Sequence, residues 1–252
     1  MKTESPSAAL IPRLRFLWKD AFGDTDAFLD LFFSIAYDSR RCRCIRGEDR
    51  VKAALYWLDL YLDGGKYAYL YAVATATDCR GQGLCRELMA DTAAHLQQEG
   101  YAGAVLVPQD EGLRAMYGRM GYENATSIDE FFCAAEDGSA DLRQITAEEF
   151  AALRPAMAPE GSMDLSPEAL AFLDAAARFY AGEGFLAAVS RETEHLRFLE
   201  YLGDRTLLPA LIAALGATEA TVRAHGTGIP FAMYLPLSAQ SNAPRYYPFA
   251  FD

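Results

Sequence analysis

The chain has 252 residues, of which 52% are hydrophobic and 23% charged, and a net charge of −12. Those values exclude a disordered chain and fit one large or two modest globular domains. They argue against nucleic acid or an anionic membrane as partner, since both demand a basic surface; the acidity suits solubility, or the steering of a cationic substrate such as an amine.

No apolar run reaches the roughly 18–20 residues that a bilayer span needs. The N-terminus, MKTESPSAALIPRLRF, has no long apolar core after Lys2, so no secretory signal is read. The five cysteines show no disulfide spacing, which fits a reducing cytoplasm. Cys42 and Cys44 share one face of an expected strand, but a C-x-C pair without a partner pair is a weak metal signal, and no metal is called for.

In chain order, Leu14, Leu17, Trp18, Ala21 and Phe22 recur at helical spacing over 12–22, between Pro12 and Gly23. A second helix, capped by Asp24 or Thr25, runs to about Tyr37. It is apolar on so many faces that it is either deeply buried or partly a pocket wall. Strands are expected at 42–45 and 51–60, then a turn at Asp63-Gly64-Gly65, then a buried strand at 67–75.

The stretch Arg80-Gly81-Gln82-Gly83-Leu84-Cys85 follows, and a helix runs from about Gly83 to Gln98 with Leu84, Leu88, Met89, Thr92 and Leu96 as its apolar stripe. A buried strand, a glycine turn and an amphipathic helix in that order build an anion cradle. Backbone N–H groups point into one small volume, and the helix N-terminus adds partial positive charge. A strand at 102–107, a helix at 112–120 and a strand or strand pair at 122–135 complete a first domain, 1–136.

The polar break Glu136-Asp137-Gly138-Ser139 opens a second domain, 137–252. Thr146 and Glu149 form a capping box, and Ser166-Pro167 opens a helix expected to end at Gly182 and Gly184. A hairpin of 185–189 and 195–202 turns around 191–194. A helix at 207–215 and strands at 220–224 and 231–237 follow. This half repeats the first in outline, but Gly203-Asp204-Arg205-Thr206 stands where the glycine turn would be, and Asp204 would repel a phosphate.

Residues 67–122 resemble the GCN5-related N-acetyltransferase (GNAT) superfamily. Its Arg/Gln-x-x-Gly-x-Gly/Ala motif stands here as Arg80-x-x-Gly83-x-Cys85, and its Leu-Tyr-x-Lys/Arg-x-Gly-Phe/Tyr ending as Met116-Tyr117-Gly118-Arg119-Met120-Gly121-Tyr122. The resemblance implies a mixed α/β fold, with a central sheet flanked by helices, followed by a degenerate GNAT-like domain. It also implies acetyl-CoA as cosubstrate and transfer of an acetyl group to a primary amine by direct attack. Backbone groups of Val73 and Thr75 would pair with the pantetheine amides. Those of Arg80, Gly81, Gln82, Gly83, Leu84 and Cys85 would hold the pyrophosphate. Arg80 and Arg86 add charge or are simply solvated.

Cys85 departs from the motif: it is either a small packing residue or a thiol activated by the helix N-terminus. Tyr117 matches the tyrosine that protonates the leaving thiolate, a role suited to a phenol still protonated at neutral pH. Asp110 stands where the family often has an Asn. Glu111, Asp110, Asp59 and Tyr69 are base candidates by location, and His95, His195 and His225 are scattered.

The layout also resembles, more weakly, the enhanced-intracellular-survival type of aminoglycoside acetyltransferase without its sterol-carrier-like third domain. The aromatic tail from Tyr246 to Asp252 either packs or docks near the site. A non-catalytic acyl-CoA-binding or regulatory module is the alternative function. A dinucleotide-binding Rossmann domain fits poorly, because antiparallel-looking strands precede the turn and no acidic residue follows at the usual spacing.

Overall fold

The computed structural model describes residues 3–138, 140–191 and 195–250. Their contacts divide the chain into two compact units, Met1–Glu123 with Tyr234–Asn242, and Asn124–Met233 with Ala243–Asp252.

The first unit opens with β1 (Thr3–Glu4), α1 (Ile11–Phe22) and α2 (Asp26–Ile35). Pro12 occupies the first turn of α1, where its missing N–H costs nothing. Gly23 ends that helix at φ 76°, a left-handed conformation that glycine takes freely. Thr25 caps α2 by accepting from the Phe28 N–H at 3.2 Å. Trp18 from α1 and Phe32 from α2 are buried, their ring centroids 4.6 Å apart, with Tyr56 at 4.9 Å and Tyr71 at 5.5 Å from Trp18. The inner face of α2 is therefore core.

Then come β2 (Cys42–Arg46), β3 (Val51–Leu62), β4 (Gly65–Thr75), α3 (Leu84–Gln98), β5 (Gly103–Leu106), α4 (Glu111–Gly118) and β6 (Glu123–Asn124). The β3–β4 hairpin closes on Asp63 and Gly64, both at positive φ, with Leu62 opposite Gly65. This is the Asp-Gly turn whose twist matches the flanking strands. β2, β3 and β4 pair antiparallel, and β4 and β5 pair parallel.

The remaining elements are β7 (Ser127–Ala134), β8 (Arg143–Ile145), α5 (Ala147–Met157), β9 (Asp164–Leu165), α6 (Pro167–Ala176), β10 (Ala177–Gly182), β11 (Phe185–Ser190), β12 (Leu196–Gly203), α7 (Leu208–Ala214), β13 (Glu219–His225), β14 (Ile229–Pro230) and β15 (Met233–Pro236). The first sheet runs β1-β2-β3-β4-β5-β15-β6, and the second runs β14-β7-β13-β12-β11-β10-β8. α7 covers one face of the second sheet around Phe198, Tyr201, Leu208, Leu211, Ile212 and Val222. The pair Arg154–Glu200 is buried in this unit, joined by bonds of 2.8 and 2.9 Å, and the Met163 carbonyl takes a third Arg154 donor at 2.8 Å. The fold is thus mixed α/β, with two mixed sheets flanked by helices.

Two expectations change, and two readings left open are narrowed. The helix opened by Ser166 stops at Ala176, and Ala177–Gly182 is a strand paired with β11. Its burial alternates, with Ala177, Phe179 and Ala181 inside, so period two wins over the helix reading. The stretch 122–135 is not one ribbon. Glu123–Asn124 joins the first sheet while Ser127–Ala134 pairs along its length with β13 in the second, so the first compact unit breaks before the polar stretch at 136–139. The strand expected at 231–237 to close the second half lies instead in the first sheet. The tail residues Tyr246, Tyr247 and Phe249 are buried within the second unit. Ser139, the 192–194 turn of the hairpin and the tail end Phe251-Asp252 lie outside the described residues.

Candidate functional site

β4 carries a bulge. Tyr56 on β3 stands opposite Tyr71, and Ala54 opposite Ala74, so Leu55 faces two residues, Ala72 and Val73. Ala72 adopts φ 48°. An extra residue bends a strand and leaves backbone groups without ladder partners.

Beyond the bulge, the Ala76 N–H donates to the Lys52 carbonyl on β3 at 2.8 Å. Backbone groups of successive strand residues point to opposite sides in the sheet plane, so those of Thr75, next to Ala76, turn away from β3. On that side β5 accompanies β4 only at Tyr67, Ala68 and Tyr69. Past Tyr69 β4 runs on to Thr75, while β5 ends at Leu106. The Thr75 carbonyl takes the Arg80 Nε–H at 3.3 Å.

The turn follows directly. A short 3-10 turn over Thr77–Cys79 leads to Arg80 in an extended conformation, with Gly81 at φ 75° and Gly83 at φ 80°. A Cβ at either glycine would meet nothing within 4 Å. Glycine is therefore needed for its conformation and not for space, and the side chains leave one side of the turn open. Arg50 pairs with Asp78, and the Gln82 amide donates to the Asp78 carbonyl at 3.3 Å.

Gly83 is also the N-cap of α3 and offers no side-chain acceptor. Its carbonyl takes the Glu87 N–H at 3.0 Å, so the N–H groups of Leu84, Cys85 and Arg86 have no partner inside the helix. The other helices differ. Thr25, Asp110, Thr146 and Ser166 cap α2, α4, α5 and α6 through their side chains, and α1 and α7 carry proline in the first turn. Among the described residues α3 alone has neither device. Leu84, Leu88, Met89 and Leu96 are buried and fix the helix, while Gln82 and Arg86 are exposed. Free N–H groups, a helix dipole and an open glycine turn suit the doubly charged pyrophosphate of a CoA thioester, and the stretch of β4 beyond its pairing with β5 suits an amide chain leading from it.

Cys85 is half-buried, and burial pushes its thiol up from the ordinary value. An activated thiolate requires the opposite shift. Tyr117 is the buried residue of α4, 6% exposed, with its ring edge-on to Tyr122 at 6.0 Å. Burial raises its phenol above the ordinary 10.0, and the neighbouring Cys85 thiol adds to the rise. Tyr117 therefore holds its proton at neutral pH, within electrostatic reach of Cys85, the second residue of α3.

The expected base candidates have structural partners. Asp110 caps α4, accepting from the Leu113 N–H at 2.7 Å. Asp59 is buried and binds the Tyr101 hydroxyl at 2.6 Å, Lys66 Nζ at 3.0 Å and Arg41 Nη1 at 3.5 Å. Glu111 pairs with Arg114 at 3.3 Å, and Tyr69 is buried against Tyr71. His95 sits on α3 beside Trp57, whereas His195 and His225 belong to the second unit. Sequence reasoning missed the bulge, since Ala72 carries no local signal for positive φ. It also missed the capping role of Asp110, which the Asp-x-x-Leu start of a short helix would have revealed.

The corresponding place in the second unit is closed. β12 and β13 pair in parallel at Leu196–Phe198 and again at Tyr201–Ala224. Asp204 accepts from the Thr206 N–H at 2.9 Å, and its own carbonyl takes the Tyr201 hydroxyl at 2.6 Å. Arg205 is held by Asp129 and the His225 carbonyl at 2.8 and 2.7 Å.

Residues 6–125 match the family model described as "Acetyltransferase (GNAT) domain". No curated protein matches the sequence. Among solved structures, a GCN5-related N-acetyltransferase from Anabaena variabilis is similar over 94% of this chain and 73% of its own, with a TM-score of 0.73 at 18% identity. Eis1 from Mycobacterium abscessus is similar over 95% of this chain and 75% of its own, at 0.67 and 12%. A putative acetyltransferase from Pyrococcus horikoshii is similar over 98% of this chain and 93% of its own, at 0.65 and 13%. At such identities the likeness speaks for a shared fold over both units.

Proposed function

The chain belongs to the GCN5-related N-acetyltransferase superfamily, which makes it an acyltransferase, and from that premise we propose that it moves the acetyl group of acetyl-CoA to a primary amine. The observation that carries this reading is the uncapped N-terminus of α3, set behind two left-handed glycines at the end of a bulged strand that outruns its parallel partner.

In this reading the N–H groups from Arg80 to Arg86 bind the pyrophosphate, and Val73 and Thr75 hold the pantetheine amides along the open edge of β4. Held in this way, the thioester meets the amine as a neighbour, which removes most of the entropic cost of the encounter. The amine nitrogen attacks the thioester carbonyl and forms a tetrahedral intermediate. The C–S bond then breaks, Tyr117 gives its proton to the departing thiolate, and the proton lost by the amine passes to solvent. The raised phenol of Tyr117 suits an acid that must stay protonated until that moment. No covalent enzyme intermediate is needed.

The net charge of −12 would steer a cationic acceptor toward the protein. We place the protein in the cytoplasm, where its five free cysteines stay reduced. Among the described residues no helix is long and apolar enough to cross a membrane.

The test is incubation with acetyl-CoA and a panel of primary amines while free CoA is measured. Amine-dependent release in the wild type, slowed in Tyr117→Phe with acetyl-CoA affinity retained, is the expected result. Binding of acetyl-CoA without release on any amine would instead make the chain a CoA-thioester-binding module.

A further inference from the structure

The two sheets are built alike, and each ends alike. In the first, the parallel pair β4/β5 is followed by β15 and then by the two-residue strand β6. In the second, the parallel pair β12/β13 is followed by β7 and then by the two-residue strand β14. β7 comes directly after β6 in the chain, and β15 directly after β14. Each half of the sequence thus lays down its short edge strand and sends the next strand into the other sheet.

The two crossing segments are the dipeptides Ala125-Thr126 and Phe231-Ala232, and they bind each other. The Ala232 carbonyl accepts from the N–H groups of Ala125 and Thr126, at 3.0 and 3.2 Å. The Thr126 carbonyl takes the Phe231 N–H at 2.8 Å, and the Thr126 hydroxyl takes the Ala232 N–H at 3.0 Å. Thr126 is 2% exposed, so these donors and acceptors have no water to fall back on.

The exchanged strands are well seated. β7 pairs with β13 from Glu219–Ala134 to His225–Ile128. Next to β15, the Leu237 N–H donates to the Ala102 carbonyl at 2.9 Å, and a Cβ on Gly103 would run into the Tyr234 ring. Glycine at 103 is what lets β15 lie so close to β5.

We infer that the cradle-less half of the sequence serves the cradle-bearing half as a strand donor. The sheet that carries the bulge, the turn and α3 is incomplete until residues 233–237 have been made, and the second sheet in turn needs residues 127–134. The halves form one cooperative folding unit, and a half without a cradle is retained because its last strand closes the sheet of the half that has one.

Guanidinium unfolding of the intact chain tests this, because both tryptophans, Trp18 and Trp57, lie in the first unit while far-UV circular dichroism reports both units. The expected result is a single transition with coincident midpoints for the two probes. Thr126→Val, which orphans the Ala232 N–H, lowers both midpoints together, and Thr126→Ser, which keeps the hydroxyl, restores most of the loss. Separate transitions, or a Thr126→Val shift seen by circular dichroism but not by tryptophan fluorescence, would overturn the inference.

Topology is tested independently with Ala220→Cys, since Ala220 stands opposite Cys133 on the neighbouring strand. After oxidation and cleavage at a protease site inserted between Asp137 and Gly138, the two fragments should run as one band on a non-reducing denaturing gel. Two bands would place Ser127–Ala134 outside the second sheet. Neither readout depends on acetyl-CoA, so these outcomes are distinct from failure of the proposed activity.

Discussion

The two parallel strand pairs, β4/β5 and β12/β13, differ in where their pairing stops. In the first unit it ends at Tyr69 and Val105, and β4 runs on past the end of β5 to a glycine turn. In the second it continues to Tyr201 and Ala224, and the following turn is bound by its own Asp204 and by Arg205. Both β4 and β12 carry an irregularity, so a bulge alone does not make a site. What separates the two regions is the combination of a strand that outruns its parallel partner, left-handed glycines and a helix start left without a cap.

The predictions bear on that contrast, in falling order of effect. Tyr117→Phe removes the proposed acid and should lower the turnover of acetyl transfer by about 10²–10⁴-fold, with acetyl-CoA affinity unchanged. Full activity in steady-state assays would remove Tyr117 from the chemistry. Gly83→Ala keeps the open space but strains the left-handed backbone by about 1–2 kcal/mol, so acetyl-CoA binding should weaken roughly 5–30-fold by calorimetry. Asp204→Gly in the second unit should create no binding, because the β12/β13 edge stays paired. Asp110→Ala should cost about 1 kcal/mol of stability through the lost cap, and Asp110→Asn almost nothing, with acetyl-CoA affinity unchanged in both.

Alkaline pH should treat the two regions alike. Burial raises the phenols of Tyr117 and Tyr122 in the first unit and of Tyr201 in the second above the ordinary 10.0. Above that pH the unfolded chain sheds tyrosine protons that the folded chain retains, so stability falls as pH rises, and below it these groups contribute no slope. Guanidinium midpoints measured across pH should therefore be insensitive to these phenols up to about 9 and then decline.

Much of the first unit was legible because its signals are local. The Asp63-Gly64 turn, the Gly23 stop, the Thr25 cap and the Leu84–Leu88–Leu96 stripe each act within a few residues, and each forms as its chemistry dictates. The candidate turn was visible for the same reason: Gly81 and Gly83 are needed where φ is positive. The bulge at Ala72 was not legible, since it is imposed by pairing with β3 and not by residue type. Strand destination was equally hidden. Ser127–Ala134 and Met233–Pro236 read as strands, but pairing partners far apart in sequence decide which sheet each joins. Ala177–Gly182 misled because alanine-rich stretches favour helix until period-two burial overrides propensity.

The central claim is one acetyl-CoA site per chain, at the start of α3. Calorimetric titration of acetyl-CoA into the wild type and into Gly83→Val, whose branched side chain is poorly tolerated at φ 80°, tests it most directly. One equivalent bound per chain, lost in the variant while the chain stays folded by circular dichroism, is the predicted result. Two equivalents, or undiminished binding in Gly83→Val, would contradict it.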